Sequence, residues 1–233
     1  MTSGSSTSDP QSPPRPPRVT ARAVWAGVVL ILIALVAGVL LGRIGAPAAA
    51  SMPGETSAEA GFARDMQTHH NQAVEMSMLL RDRTDDEELR LLALDIATAQ
   101  SQQAGQMFAW LNAWGLPQTG SEPEMAWMTR PALAGDGDMG GMHDGGHSDH
   151  ELGEPMPGLA TPAQMQQLRD ADGLEAERLW LELMIAHHQG GVEMAEAVLA
   201  RTDDPLVTPL ATGMATLQQK EIDYMTELLE DRA

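Results

Sequence analysis

Apolar and soft side chains recur along this chain at alternating steps of four and three residues. Phe62, Met66, His69, Ala73, Met76 and Leu80 mark one seam, and its spacing predicts a helix over 62–81. Leu89, Ala93, Ile96, Gln100, Gln103, Met107 and Trp110 mark a second. That helix is predicted to begin at the capping-box pattern Thr84-x-x-Glu87 and to run to about Trp114, where Gly115-Leu116-Pro117 stops it. Trp180, Met184, His187, Gly191, Met194 and Val198 predict a third helix over 174–200. Ala211, Met214, Gln218, Glu221, Met225 and Leu228 predict a fourth over 208–231, starting at Pro209 because proline is tolerated only in a first turn. Thr161-Pro162-Ala163-Gln164 is a second capping box, with proline at the first helical position, and predicts a short helix ending at Asp170.

The first and third seams are copies of one another. Met66-Gln67-Thr68-His69-His70 matches Met184-Ile185-Ala186-His187-His188 at a constant offset of 118 residues, and Val74-Glu75-Met76 matches Val192-Glu193-Met194 at the same offset. The offset holds beyond the motif, relating Arg83-Thr84-Asp85-Asp86 to Arg201-Thr202-Asp203-Asp204 and Gln100 to Gln218. Such a repeat is one supersecondary unit used twice. Each copy is a helical hairpin with a half-buried apolar face, and two of them cover each other. The predicted class is all-α: an up-down four-helix bundle built from two duplicated hairpins with pseudo-twofold symmetry. Hairpin 1 is expected over 59–117. A Met/His/Gly-rich loop without an apolar period follows over 118–160, and the short helix with hairpin 2 over 161–233.

A different pattern precedes the bundle. Residues 1–22 are Ser-, Pro- and Thr-rich with Arg15, Arg18 and Arg22, as expected of a disordered cytoplasmic tail. Residues 23–42 hold no charge and match the ~20 residues a helix needs to cross a bilayer. The arginines before them place the N-terminus inside and the body outside the cytoplasm. An uncleaved transmembrane anchor is the preferred reading. A secretory signal cut near Ala48-Ala49-Ala50-Ser51 and a buried core helix are the alternatives. Residues 43–58 form a linker of mostly small residues.

Composition narrows the chemistry. A net charge of −19, from 33 acids and 14 bases, excludes a nucleic-acid partner, which needs a basic face. With no cysteine there is neither a disulfide nor a thiolate metal site. The 16 methionines and 7 histidines cluster together. On a helix Met66, His69 and His70 lie three and four apart and project on neighbouring lines. His69 falls on the seam, and His70 is turned about 100° from it. Met76 lies two turns on, in a second layer. The pattern repeats at Met184, His187, His188 and Met194, and a pseudo-twofold axis would set the two histidine pairs face to face.

Di-iron bundles use Glu-x-x-His at the corresponding places. Here a thioether stands for the carboxylate, twice. Thioether selects Cu(I), or its analogue Ag(I), over the harder iron. The candidate metal donors are therefore Met66, His69, His70, Met76, Met184, His187, His188 and Met194. Met107, Met225 and the seam carboxylate Glu221 form a second tier, as do the loop residues Met139, Met142, His143, His147 and His150, which suit Cu(I) or Cu(II). Methionine at helical spacing also serves as core, and buried histidines also serve as hydrogen-bonded core residues. A His–Gln–Glu network holding the bundle in register is thus the rival reading. Glu75 and Glu193 are expected to be solvated or to bond across helices, and Gly190-Gly191 to allow close helix approach.

The paired Met-x-x-His-His-x-x-x-Val-Glu-Met, Gln-x-x-Glu-Ile-x-x-Met at 218–225, and Met156-Pro157-Gly158-Leu159-Ala160-Thr161-Pro162-Ala163-Gln164-Met165 resemble a bacterial family. It is domain of unknown function 305, a ferritin-like four-helix module of secreted and membrane-anchored proteins. The resemblance covers roughly residues 58–231, leaving out the loop. It implies a copper-associated protein with Met66, His69, His70, Met184, His187 and His188 as ligands, and it implies no catalytic activity. The expected function is extracytoplasmic soft-metal binding for sequestration, chaperoning or tolerance. A structural bundle and a ferritin-like metalloenzyme are the rivals. The sequence identifies no copper-handling partner and fixes no oligomeric state.

Overall fold

The computed structural model describes Trp25 and residues 31–38, 52–133 and 153–232. The chain divides into two units, Met1–Ala50 and Ser51–Ala233. In the first, Trp25 and residues 31–38 are helical, with exposed apolar side chains such as Ile31, Leu32 and Leu35. Among the described residues no helix is long and apolar enough to cross a membrane. The rest of the 23–42 span lies outside the described residues.

The second unit is all-helical among its described residues: α1 (Ala58–Arg81), α2 (Glu87–Ala113), a 3₁₀ turn (Ala126–Thr129), α3 (Pro162–Asp170), α4 (Gly173–Leu199) and α5 (Val207–Glu230). Helix α1 packs along α2, α4 packs along α5, and the two hairpins meet through α1 and α4. Every seam position predicted on α1 and α4 is buried, from Phe62 to Leu80 and from Trp180 to Val198.

The helix starts follow from side-chain acceptors. Thr161 caps α3 as predicted, with Gln164 completing the reciprocal box. The cap of α2 is Asp86, which accepts from Leu89 N–H, and not Thr84. The carboxylate sits immediately before the first helical residue and takes the free N–H groups. Thr84 Oγ1 instead accepts from Asp86 N–H and donates to Glu177 across the hairpins. Asp204 repeats the Asp86 cap, accepting from Val207 N–H, the residue equivalent to Leu89.

The predicted loop over 118–160 is partly packed structure. Met125, Trp127 and Met128 are buried, as are Met156 and Ala160. Trp127 meets Phe62 edge-on at 5.8 Å. A Cβ on Gly61 would come within 2.5 Å of the Trp127 side chain, so glycine makes room for it. A tryptophan of this size dominates local packing, and it draws an aperiodic segment onto the bundle.

The core falls into two apolar clusters. One contains Phe62, Met66, Met107, Leu111, Trp127, Met194, Val198 and Met214. The other contains Met76, Leu80, Ile96, Met165, Trp180, Met184, Met225 and Leu228. On every long helix a polar pair stands between them: His69 and His70 on α1, Gln100 and Gln103 on α2, His187 and His188 on α4, Gln218 and Glu221 on α5. These eight residues form one polar layer across the middle of the core.

Candidate metal centre

All four histidines of the layer are fully buried. The His69 and His187 rings stack, with centroids 3.7 Å apart and planes 30° apart, where α1 crosses α4. His70 and His188 lie 6.3 and 6.1 Å from their sequence neighbours and face inward within their own hairpins. The expectation that both pairs meet face to face therefore holds for His69 and His187 alone. The 100° turn that separates His70 from the seam points it at α2, which covers it.

Each ring presents Nε2 to an oxygen. His187 Nε2 donates to the His69 carbonyl at 2.8 Å, and His69 Nε2 donates to the Pro157 carbonyl at 3.1 Å. His188 Nε2 lies 2.9 Å from Glu221 Oε2, and His70 Nε2 lies 2.7 Å from Gln103 Oε1. Carbonyls and carboxylates only accept, so they place the proton on Nε2 and leave the Nδ1 lone pair free. All four Nδ1 atoms are buried without a protein partner. The amides of Gln100 and Gln218 are likewise buried with neither end partnered. Each such orphan costs on the order of 1–3 kcal/mol.

Burial favours the neutral form of His69, His70 and His187. Burial pushes His69 down to about 3, and His70 beside it adds to the effect. Burial pushes His70 down to about 4, against the opposing bond to Gln103. Burial and the adjoining His69 hold His187 well below the usual histidine range.

The thioethers bracket this layer. Met66 and Met194 lie in one apolar cluster with Met107, and Met76 and Met184 in the other with Met225. All six are fully buried. The pairing follows from the antiparallel crossing: one turn before the histidine on α1 meets two turns after it on α4. Among the described residues no group of three or more His, Asp or Glu is placed to hold one ion. Glu221 is the acceptor for His188. Met139, Met142, His143, His147 and His150 lie outside the described residues.

A strap closes the layer on one side. Gln72 clamps Ala160 through two bonds, donating to its carbonyl and accepting from its N–H. Pro157 crosses Gly190 so closely that a Cβ there would lie 2.1 Å from the Pro157 oxygen. Gly158, at φ +70°, packs on the backbone of Ala186 and His187. Sequence reading found Gly190 as a place of close approach but neither Gln72 nor the Pro157 carbonyl that it meets. The available signal was the mismatch of the repeat, since Gln72 stands opposite Gly190. Glu75 is exposed and paired with Arg169, as expected of a surface carboxylate.

A family model described as Domain of unknown function (DUF305) matches residues 59–229. A solved DUF305 structure from Streptomyces coelicolor is 45% identical, with a TM-score of 0.65, and the match covers 77% of this chain and 96% of that one. The fold also matches CopM in its Cu(I)-bound form, at 21% identity and a TM-score of 0.53, over 74% of this chain and 96% of CopM. CopM structures with Cu(II) and with silver match similarly. A curated relative, Uncharacterized protein L153 of Acanthamoeba polyphaga mimivirus, is 36% identical over 56 residues, 24% of this chain. The chain spans 37% of that relative's length.

Proposed function

The chain belongs to the DUF305 family, and from that premise we propose that it binds a soft metal ion, Cu(I) or Ag(I), outside the cytoplasm, as a sequestering or chaperoning protein and not as an enzyme. The ferritin-like up-down four-helix bundle is the architecture assigned to its body. The observation that carries the reading is the set of four buried Nδ1 lone pairs between two groups of methionines. Neutral imidazole and thioether are the donor types that suit Cu(I). With each Nε2 on an oxygen, the rings are oriented as metal-binding histidines are. Relatives support the reading in kind: CopM is known in Cu(I)-, Cu(II)- and silver-bound forms. The Streptomyces relative is described as secreted, which agrees with an extracytoplasmic body. Tethering through residues 23–42 remains part of the proposal.

The test is titration of metal-stripped protein with Cu(I) under reducing conditions. Binding by wild type that is lost in the H69A/H187A double variant supports the reading, and absence of binding by wild type ends it. The rival is a hydrogen-bonded structural core, favoured by the partner that every Nε2 already has. It expects equal thermal stability with and without Cu(I) and Ag(I), whereas an ion that binds the folded state must raise it.

A further inference from the structure

The two halves of the polar layer differ at one pair of equivalent positions that touch candidate donors. Gln103 and Glu221 are related by the repeat offset, and each faces the Nε2 of the second histidine of its hairpin. The first histidines, His69 and His187, are both held by backbone carbonyls. The chemical inequality between the halves therefore rests on this amide and this carboxylate. We infer that Glu221 is a positioning residue that makes His188 a stronger Cu(I) donor than His70. The two halves then load in order, with the His187–His188 half first. This rests on the copper-binding reading above.

The argument has three parts. A carboxylate can only accept, so Glu221 fixes the His188 proton on Nε2 and the lone pair on Nδ1. A glutamine can turn either its carbonyl or its NH₂ to a ring, so Gln103 fixes His70 less firmly. A carboxylate behind an imidazole also raises its basicity toward a metal, which a neutral amide does far less. Finally, a cation entering a buried layer of imidazoles needs a counter-charge. The Glu221 side chain, 17% exposed against a fully buried His188, supplies one. Gln103 supplies none.

The experiment titrates Cu(I) into metal-stripped full-length protein under reducing conditions, in competition with a chromogenic chelator. Wild type is compared with E221Q, E221D and Q103E. The tighter Cu(I) step is expected to weaken by about 10–100-fold in E221Q and to be retained in E221D. The weaker step is expected to tighten by about the same factor in Q103E. A merely structural Glu221 would not predict a gain from a change on the other hairpin. If E221Q does not fold, Q103E alone decides. Two wild-type steps that neither variant moves would overturn the inference and leave copper binding standing. A wild type that takes up no Cu(I) would remove the copper reading itself, and this one with it.

Discussion

At the end of each hairpin's first helix an arginine turns back on the fold. Arg83 donates to the Leu79 and Arg169 carbonyls, and Arg201 donates to the Ala197, Met128 and Arg130 carbonyls. Beside them Thr84 donates to Glu177, and Thr202 donates to Glu59. Each of these donors and both glutamates map onto one another at the 118-residue offset, so the threonine–glutamate joints between the hairpins obey the twofold. The interior does not. Gln103 stands opposite Glu221, Gln72 opposite Gly190, and Asp65 opposite Leu183. His187 bonds the carbonyl of His69, while His69 bonds the strap. The threonine joints use half-buried carboxylates that either copy supplies equally well, while the two arginines reach different carbonyls of the segment between the copies. The layer lies beneath a strap that exists once, so its two halves meet different neighbours.

The largest effect should come from acid. Below about pH 6.5 the imidazoles of the unfolded chain take up protons, while folded His69 and His70 stay neutral down to about 3 and about 4. The unfolded state then binds more protons, so these groups make metal-free protein lose stability as pH falls through that window. The slope is at most about 1.4 kcal/mol per pH unit for each imidazole. Protonation of the many carboxylates acts in parallel, so the informative quantity is the difference between variants. Thermal unfolding of metal-free H69Q and H187Q between pH 7 and pH 4.5 should show a flatter decline than wild type. Because each hairpin gives one ring to the stacked pair, the two variants should flatten it alike. A decline as steep as that of wild type would mean these rings are already charged.

Next comes Asp65, whose repeat mate is apolar. Its Oδ2 accepts from Met125 N–H and from Trp127 Nε1, and burial pushes its carboxyl above the usual range against those two bonds. D65A orphans two buried donors and is expected to cost about 2–4 kcal/mol in denaturant unfolding. D65N keeps an acceptor in place and should cost less than half of that. Equal losses would show that volume, and not acceptance, is what Asp65 contributes.

How far the chain announces this arrangement differs from part to part. Phe62 through Leu80 and Trp180 through Val198 were legible because a 3.5-residue period has one structural solution. The Thr161 cap was legible because both partners lie within four residues. Thr84 misled, because a threonine three residues before a glutamate is a capping pattern unless a better acceptor lies closer to the helix, and Asp86 does. The direction in which His70 and His188 are buried was hidden: the seam shows which face meets the other hairpin and is silent on what the helix partner covers. Trp127 and the Pro157 carbonyl were invisible, since an aperiodic segment has no pattern and a backbone acceptor has no side chain. The loop histidines His143, His147 and His150 are legible as composition and lie outside the described residues.

The smallest effect tests the strap itself, through two helical glycines with opposite surroundings. Gly190 faces the Pro157 oxygen, where a Cβ would sit at 2.1 Å against backbone that a rotamer change cannot move. Gly213 on α5 is exposed and has nothing within 4 Å of its would-be Cβ. Replacing glycine by alanine inside a helix gains about 0.8–1 kcal/mol when space is free. G213A should therefore stabilise by about that much. In G190A the same gain is set against overpacking of about 1–3 kcal/mol, which leaves a net loss of up to about 2 kcal/mol or a displaced strap. The second outcome has its own signature. Lifting Pro157 frees the His69 Nε2 and weakens the Gln72 clamp, so amide exchange at Ala160 should rise while the helix interiors stay protected. A G190A protein as stable as G213A, with Ala160 still protected, would mean that the repeat's mismatch at Gln72 and Gly190 is incidental and that the strap does not depend on it.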